Sequence, residues 1–272
     1  MAVAVLFDLD GTLIDSEPIW GAANTGLVRS RRGRMTEELL RALSGLDATL
    51  AMRRIHRYFG WSGYDVATDV AFVQRRVRAA YARGVHWLPG ARELLAEART
   101  AGLATALVTS TYRELAGYVV AEAGPGAFDA VVCGDDGHRA KPDPAPYLAA
   151  AAALGLRPAD CVAVEDSALG VASAHAAGCA VLNVAPVVRS DLAHAWAPSL
   201  EKVGVGELLG ARTLAGLSVS EASMGGPGWE PPGAPERSER QLRLSVLRHR
   251  QGGGAGFDVV DAQHAAEVVH LV

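Results

Sequence analysis

The feature that most constrains this chain is a series of short, largely apolar runs, most of which stop at a polar or glycine residue. Val3–Phe7 stops at Asp8, Leu103–Val108 at Thr109, Phe128–Cys133 at Gly134 and Cys161–Val164 at Glu165-Asp166, and Cys179–Val184 follows. Such runs, lacking a polar/apolar alternation, suit strands covered on both faces, as in a parallel sheet. Helical segments separate them. Ala91–Arg99 follows Pro89 and stops at Gly102, Pro144–Leu154 stops at Gly155, and Ala168–Ala177 stops at Gly178. Proline at a helix start and glycine just past its end are the residues those positions favour. The alternation predicts an α/β fold built on a doubly wound parallel sheet.

One interval interrupts it. Residues 16–88 contain no convincing strand and read as helices over about 18–31, 36–43, 47–58 and 65–83. The expected organisation is a catalytic core from residues 1–15 and 89–210, with 16–88 inserted as a helical cap. An insertion directly after the first strand sits above the carboxyl edge of the sheet, where open α/β sheets bind ligands, and can act as a lid. Residues 211–240 include GGPGWEPPGAPE and read as a linker. Residues 241–272 carry strand-like runs at Gln241–Arg248, Phe257–Val260 and Val268–Val272, so a small β-hairpin-like extension is expected there.

Composition narrows the function classes. Of 272 residues, 50% are hydrophobic and 21% charged, enough for a sizeable core. The net charge of -4 offers no footprint for nucleic acid or an anionic membrane. No apolar run reaches the roughly 18–20 residues of a membrane span. The N-terminal stretch lacks a basic region before its apolar run, so a cytoplasmic location is expected. Cys133, Cys161 and Cys179 show no CxxC spacing and read as reduced, buried thiols. Only two lysines occur, Lys141 and Lys202.

The polar strand ends carry the chemistry. In a parallel sheet Asp8-Leu9-Asp10-Gly11-Thr12, Thr109-Ser110, the Lys141 loop and Glu165-Asp166 converge on one edge. Several carboxylates gathered there repel one another unless they retain protons or bind a cation. Oxygen ligands favour a hard cation, most plausibly Mg²⁺. A lysine among them can neutralise a phosphoryl group, and the Thr109 and Ser110 hydroxyls with the amides around Gly11 can hold its oxygens.

DLDGTLIDSE, LVTST, AKPDP and VEDSALG, in that order, resemble the four motifs of the haloacid dehalogenase-like superfamily, in the helical-cap branch of β-phosphoglucomutase and phosphoglycolate phosphatase. The resemblance spans roughly residues 1–210. It implies that Asp8 is the nucleophile, Asp10 the general acid/base, and Lys141 the residue that steadies Asp8 and the phosphoryl charge. It also implies that Gly11, Thr109 and Ser110 hold phosphate. Asp8, the Asp10 backbone carbonyl, Glu165 and Asp166 are implied to hold Mg²⁺, with Asp166 the surer ligand of the acidic pair.

The second aspartate, Asp10, argues against a dehalogenase, and no lysine precedes Lys141 to serve a cap Schiff base. Family mutases carry a histidine at the position of Trp20 and an arginine just after the glycine matching Gly45. Here Trp20 and Gly45-Leu46-Asp47-Ala48 stand instead, so hydrolysis of a small phosphorylated metabolite is expected ahead of mutase chemistry. A third reading is a binding or assembly protein that uses a phosphatase-like scaffold through its C-terminal extension. Glu17, Trp20, Leu46, Arg53 and Arg54 are candidate specificity residues. Each has a plainer reading: Trp20 as core, the arginines as solvated charges, Glu17 as a helix-start acid.

Overall fold

The computed structural model describes residues 4–186 and 189–220. Its strands are β1 (Ala4–Phe7), β2 (Ala104–Val108), β3 (Ala130–Val132), β4 (Cys161–Glu165), β5 (Ala180–Val184) and β6 (Ala195–Ala197). They form one parallel sheet in the order β3-β2-β1-β4-β5-β6. Every residue of β1, β4 and β5 is buried, which explains why these strands are largely apolar. Between β1 and β2 come α1 (Glu17–Ser30), α2 (Glu37–Leu43), α3 (Ala48–Phe59), α4 (Val66–Tyr81) and α5 (Ala91–Thr100). The rest of the chain adds α6 (Arg113–Ala123), α7 (Ala145–Ala153), α8 (Ala168–Ala176) and α9 (Val205–Ser220).

The sheet is covered on both sides. Val5, Phe7, Val162, Val164 and Leu182 face a layer that includes Leu94 and Leu95 of α5, Leu115 and Val119 of α6, and Leu208 and Ala211 of α9. Ala4, Leu6, Ala163 and Val181 face Tyr147 and Ala150 of α7 and Val171 and Ala174 of α8. Alternate residues of each strand thus serve opposite cores.

Two segments differ from expectation. β6 has only three residues, all half-buried, too short a run to announce a strand; it forms by pairing alongside β5. The boundary placed at residue 210 is corrected, because α9 continues to Ser220 with Leu208 and Ala211 buried against the sheet. A buried helix face fixes that segment where composition suggested the start of a linker. The remainder of 211–240, and the hairpin expected over 241–272, lie outside the described residues. Among the described residues no helix is long and apolar enough to cross a membrane.

Helices α1–α4 leave and rejoin the rest of the chain through two paired linkers. Asp15 N donates to His86 O (2.8 Å), Leu88 N donates to Leu13 O (2.9 Å), and Ile14 bridges Trp87 antiparallel. Glu122 of α6 clasps the second linker, accepting from Val85 N, Trp87 Nε1 and Arg92 Nη2. Within the insertion, the buried Asp69 pairs with Arg31 and lies 2.6 Å from His56 Nε2, so His56 is a satisfied interior group. Asp47 and Asp65 cap α3 and α4 by accepting from the first free amides of each helix.

Candidate active site

The strand order reverses between β1 and β4: β2 and β3 lie on one side of β1, and β4, β5 and β6 on the other. Ligand sites in such sheets open beyond the carboxyl ends of the strands at that point. Asp8 follows β1, and Glu165 and Asp166 close β4. Asp8 N still donates to Val164 O (3.0 Å), which holds the two strand ends in register. Asp8, Glu165 and Asp166 each direct a carboxylate oxygen to a place where the three lie within 4.8 Å of one another.

Lys141 ties this cluster together. Its Nζ donates to Asp8 Oδ1 (2.6 Å), Glu165 Oε1 (2.6 Å) and Val108 O (3.0 Å). Burial alone works against its charge, but Asp8 and Glu165 outweigh that and hold its pKa above the usual lysine value. Burial, then Glu165, raises Asp8 well above the carboxylate range; Asp166 and Asp10 add to this and Lys141 opposes it. Burial, followed by Glu165, pushes Asp166 up to about 7, against the bond it accepts from Thr12 Oγ1 (3.0 Å). The excess of negative charge over one lysine is what a bound cation would relieve, and the all-oxygen donor set fits a hard one.

Glu165 is completely buried and takes a second donor, Tyr147 OH, at 2.6 Å. It therefore serves as the seat of Lys141 as well as a member of the carboxylate cluster. Glycines make the crowding possible. At Gly11, whose φ is +85°, a Cβ would overlap the Asp166 carboxylate; at Gly170 one would overlap Glu165.

The Asp10 side chain points elsewhere. Its Oδ1 accepts from Ser16 Oγ (2.6 Å), Trp20 Nε1 (3.1 Å) and Tyr81 OH (3.3 Å). Its Oδ2 accepts from Thr111 Oγ1 (2.7 Å) and Thr109 Oγ1 (3.4 Å). Of the four residues expected at a metal, three thus share a cluster through their side chains, and any share of Asp10 falls to its backbone carbonyl. Trp20 packs against the core, lines the cavity and donates from Nε1 to Asp10.

Asp8, Asp10, Thr109, Ser110 and Lys141 border a cavity of about 700 Å³ whose other walls come from α1 to α4 and the loops between them. Leu46 and Glu17 line it, with Glu17 accepting from Ser44 Oγ (2.5 Å). Arg53 is exposed and does not line it, while Arg54 is spent on Ala42 O (2.6 Å). Sequence reasoning missed Ser16, Tyr81, Thr111 and Tyr147. These are ordinary polar residues in helices and loops, and nothing local marks them as partners of residues up to about a hundred positions away. The three cysteines are free and buried as expected.

The chain matches the family model described as haloacid dehalogenase-like hydrolase over residues 3–178. It is 39% identical over 179 residues to hexitol phosphatase A of Escherichia coli (strain K12), covering 66% of this chain and 81% of that protein. It is 34% identical over 202 residues to protein CbbY of Rhodobacter capsulatus, covering 69% and 88%. A crystal structure of β-phosphoglucomutase from Clostridium difficile has the same fold, with a TM-score of 0.71 and 18% identity over 78% of this chain and 98% of that one.

Proposed function

The chain belongs to the haloacid dehalogenase-like hydrolases and is a phosphomonoester hydrolase of that family; from this premise we propose that it cleaves a small phosphorylated metabolite, of the sugar phosphate class, through an aspartyl-phosphate on Asp8 with Mg²⁺ bound. The observation that carries the reading is the position of Asp8. It is anchored by Lys141, faces Asp166, and stands with Asp10 at the mouth of a cavity large enough for such an ester.

Mg²⁺ held by Asp8 and Asp166, with Glu165 close by, would supply the positive charge that lets an anionic nucleophile approach an anionic phosphate. The chain's own groups do the rest. A carboxylate oxygen of Asp8 forms a bond to phosphorus while the bond from phosphorus to the ester oxygen breaks. Lys141 keeps Asp8 oriented and offsets its charge. The departing alkoxide takes a proton from Asp10. Water then attacks the phosphorus, Asp10 takes a proton from it, and inorganic phosphate leaves with the Asp8 carboxylate restored.

Donors hold both oxygens of Asp10, with Ser16, Trp20 and Tyr81 on Oδ1 and Thr109 and Thr111 on Oδ2, so its carboxyl is fixed in place for the proton transfers. Trp20 at the place of the mutase histidine also favours hydrolysis over phosphoryl return. The test is phosphate release from p-nitrophenyl phosphate. Turnover that requires Mg²⁺ and falls at least about 10³-fold in Asp8→Asn is expected; equal turnover in Asp8→Asn would overturn the mechanism. Cellular location and partners beyond the substrate follow the sequence expectation: a cytoplasmic enzyme that engages neither nucleic acid nor membrane.

A further inference from the structure

One polar side chain in the cavity is left over by the chemistry above. Asn24, on α1, is only 6% exposed and lines the cavity. No described residue hydrogen-bonds its side-chain amide. The amide opens onto the cavity rather than being sealed from it, so it is the kind of group a ligand completes. Thr25 beside it also lines the cavity with an unpartnered hydroxyl among the described residues.

The place of Asn24 is informative. It follows Trp20 by four residues, so both lie on one face of α1, with Asn24 about 6 Å further along the axis. Trp20 reaches Asp10, which marks the ester oxygen. Asn24 therefore stands where the alcohol portion of a substrate would extend. The lining there is otherwise mainly apolar, with Leu40, Leu43, Leu46, Met52, Val70 and Val73. The charged side chains that this half of the cavity adds, Glu17 and Arg41, are both exposed and opposite in sign.

We propose that Asn24 is the specificity-determining residue, exchanging hydrogen bonds with hydroxyls of an uncharged polyol or sugar chain remote from the phosphate. This deepens, and rests on, the phosphatase reading. A carboxamide offers both a donor and an acceptor, matching a hydroxyl, which is also both. A carboxylate or second phosphate only accepts, so it would leave the amide oxygen unpaired and, in this half of the cavity, would find no buried cation among the described lining residues to offset its charge. The substrate class is thus a neutral polyol monophosphate, to the exclusion of phospho-acids and bisphosphates.

The full chain, with Mg²⁺, is compared with Asn24→Leu and Asn24→Ala on glucitol 6-phosphate, 2-phosphoglycolate and p-nitrophenyl phosphate. The native protein is expected to favour glucitol 6-phosphate over 2-phosphoglycolate by about tenfold or more in kcat/KM. The ratio of glucitol 6-phosphate to p-nitrophenyl phosphate should fall about tenfold or more in both variants. Because it is a ratio, it is independent of the fraction of variant that folds. An unchanged ratio in either variant, or a native preference for 2-phosphoglycolate, overturns the proposal while leaving the phosphatase reading intact. A native protein inert on all three esters overturns the phosphatase reading itself.

Discussion

Asp166 makes the metal-free protein sensitive to pH in a direction opposite to that of ordinary salt-bridged carboxylates. Its pKa rises from 3.8 to about 7 on folding, chiefly through burial and then through Glu165. The folded state then binds this proton more tightly than the unfolded chain does. Stability from this group is fully present below pH 4 and is lost as pH rises through 7. A shift of about three units corresponds to roughly 4 kcal/mol, of which about 2–3 kcal/mol falls between pH 5 and pH 8. Asp8 shifts in the same direction for the same first cause. The measurement is urea unfolding of the native protein and Asp166→Asn in EDTA at pH 5, 6, 7 and 8. The native protein's stability relative to the variant should decline across that range. With saturating MgCl₂ the decline should vanish, because a cation favours the ionised carboxylates, so Mg²⁺ should stabilise far more at pH 8 than at pH 5. A difference that stays flat or grows with pH in EDTA would refute the account of a charge-frustrated cluster. Equal stabilisation by Mg²⁺ at pH 5 and pH 8 would refute its role as the cation seat.

Two further outcomes follow from the hydrogen bonds around the site. Trp20→Phe removes the donor-only contact that fixes Oδ1 of Asp10, and kcat on p-nitrophenyl phosphate should fall about tenfold; steady-state kinetics with kcat unchanged would show that the indole has no part in orienting Asp10. Tyr147→Phe leaves Glu165 with one donor fewer in a completely buried position, and chemical denaturation should show a loss of about 1–3 kcal/mol. A variant as stable as the parent would mean that Lys141 and Ser167, whose hydroxyl donates to Glu165 Oε2 (3.1 Å), satisfy Glu165 without the tyrosine.

What the sequence determined alone is what burial writes into a local pattern. β1, β4 and β5 are covered on both faces, so each had to be largely apolar, and the runs of β1 and β4 stop where the sheet ends and polar chemistry begins. The spacing of Asp8, Asp10, Thr109, Lys141, Glu165 and Asp166 at those ends was legible for the same reason, and the motif order led to the family. The helices of the insertion were legible as a stretch without strand signals, and the Thr36, Asp47 and Asp65 caps emerged with the structure.

What only the tertiary structure decided is which distant polar groups meet. Ser16, Tyr81 and Thr111 converge on Asp10 from three separate segments, Tyr147 rises from a helix to Glu165, and Asn24 is left facing a cavity without a partner. None of these residues breaks a periodic pattern, because a helix accepts a tyrosine or an asparagine on its inner face without a local sign. The short strand β6 and the placement of Leu208 and Ala211 of α9 belong to the same class, since each depends on packing against the sheet. Burial is a property of a residue's own segment and leaves a repeat in the chain. Hydrogen-bond partnership belongs to pairs brought together by folding and leaves none.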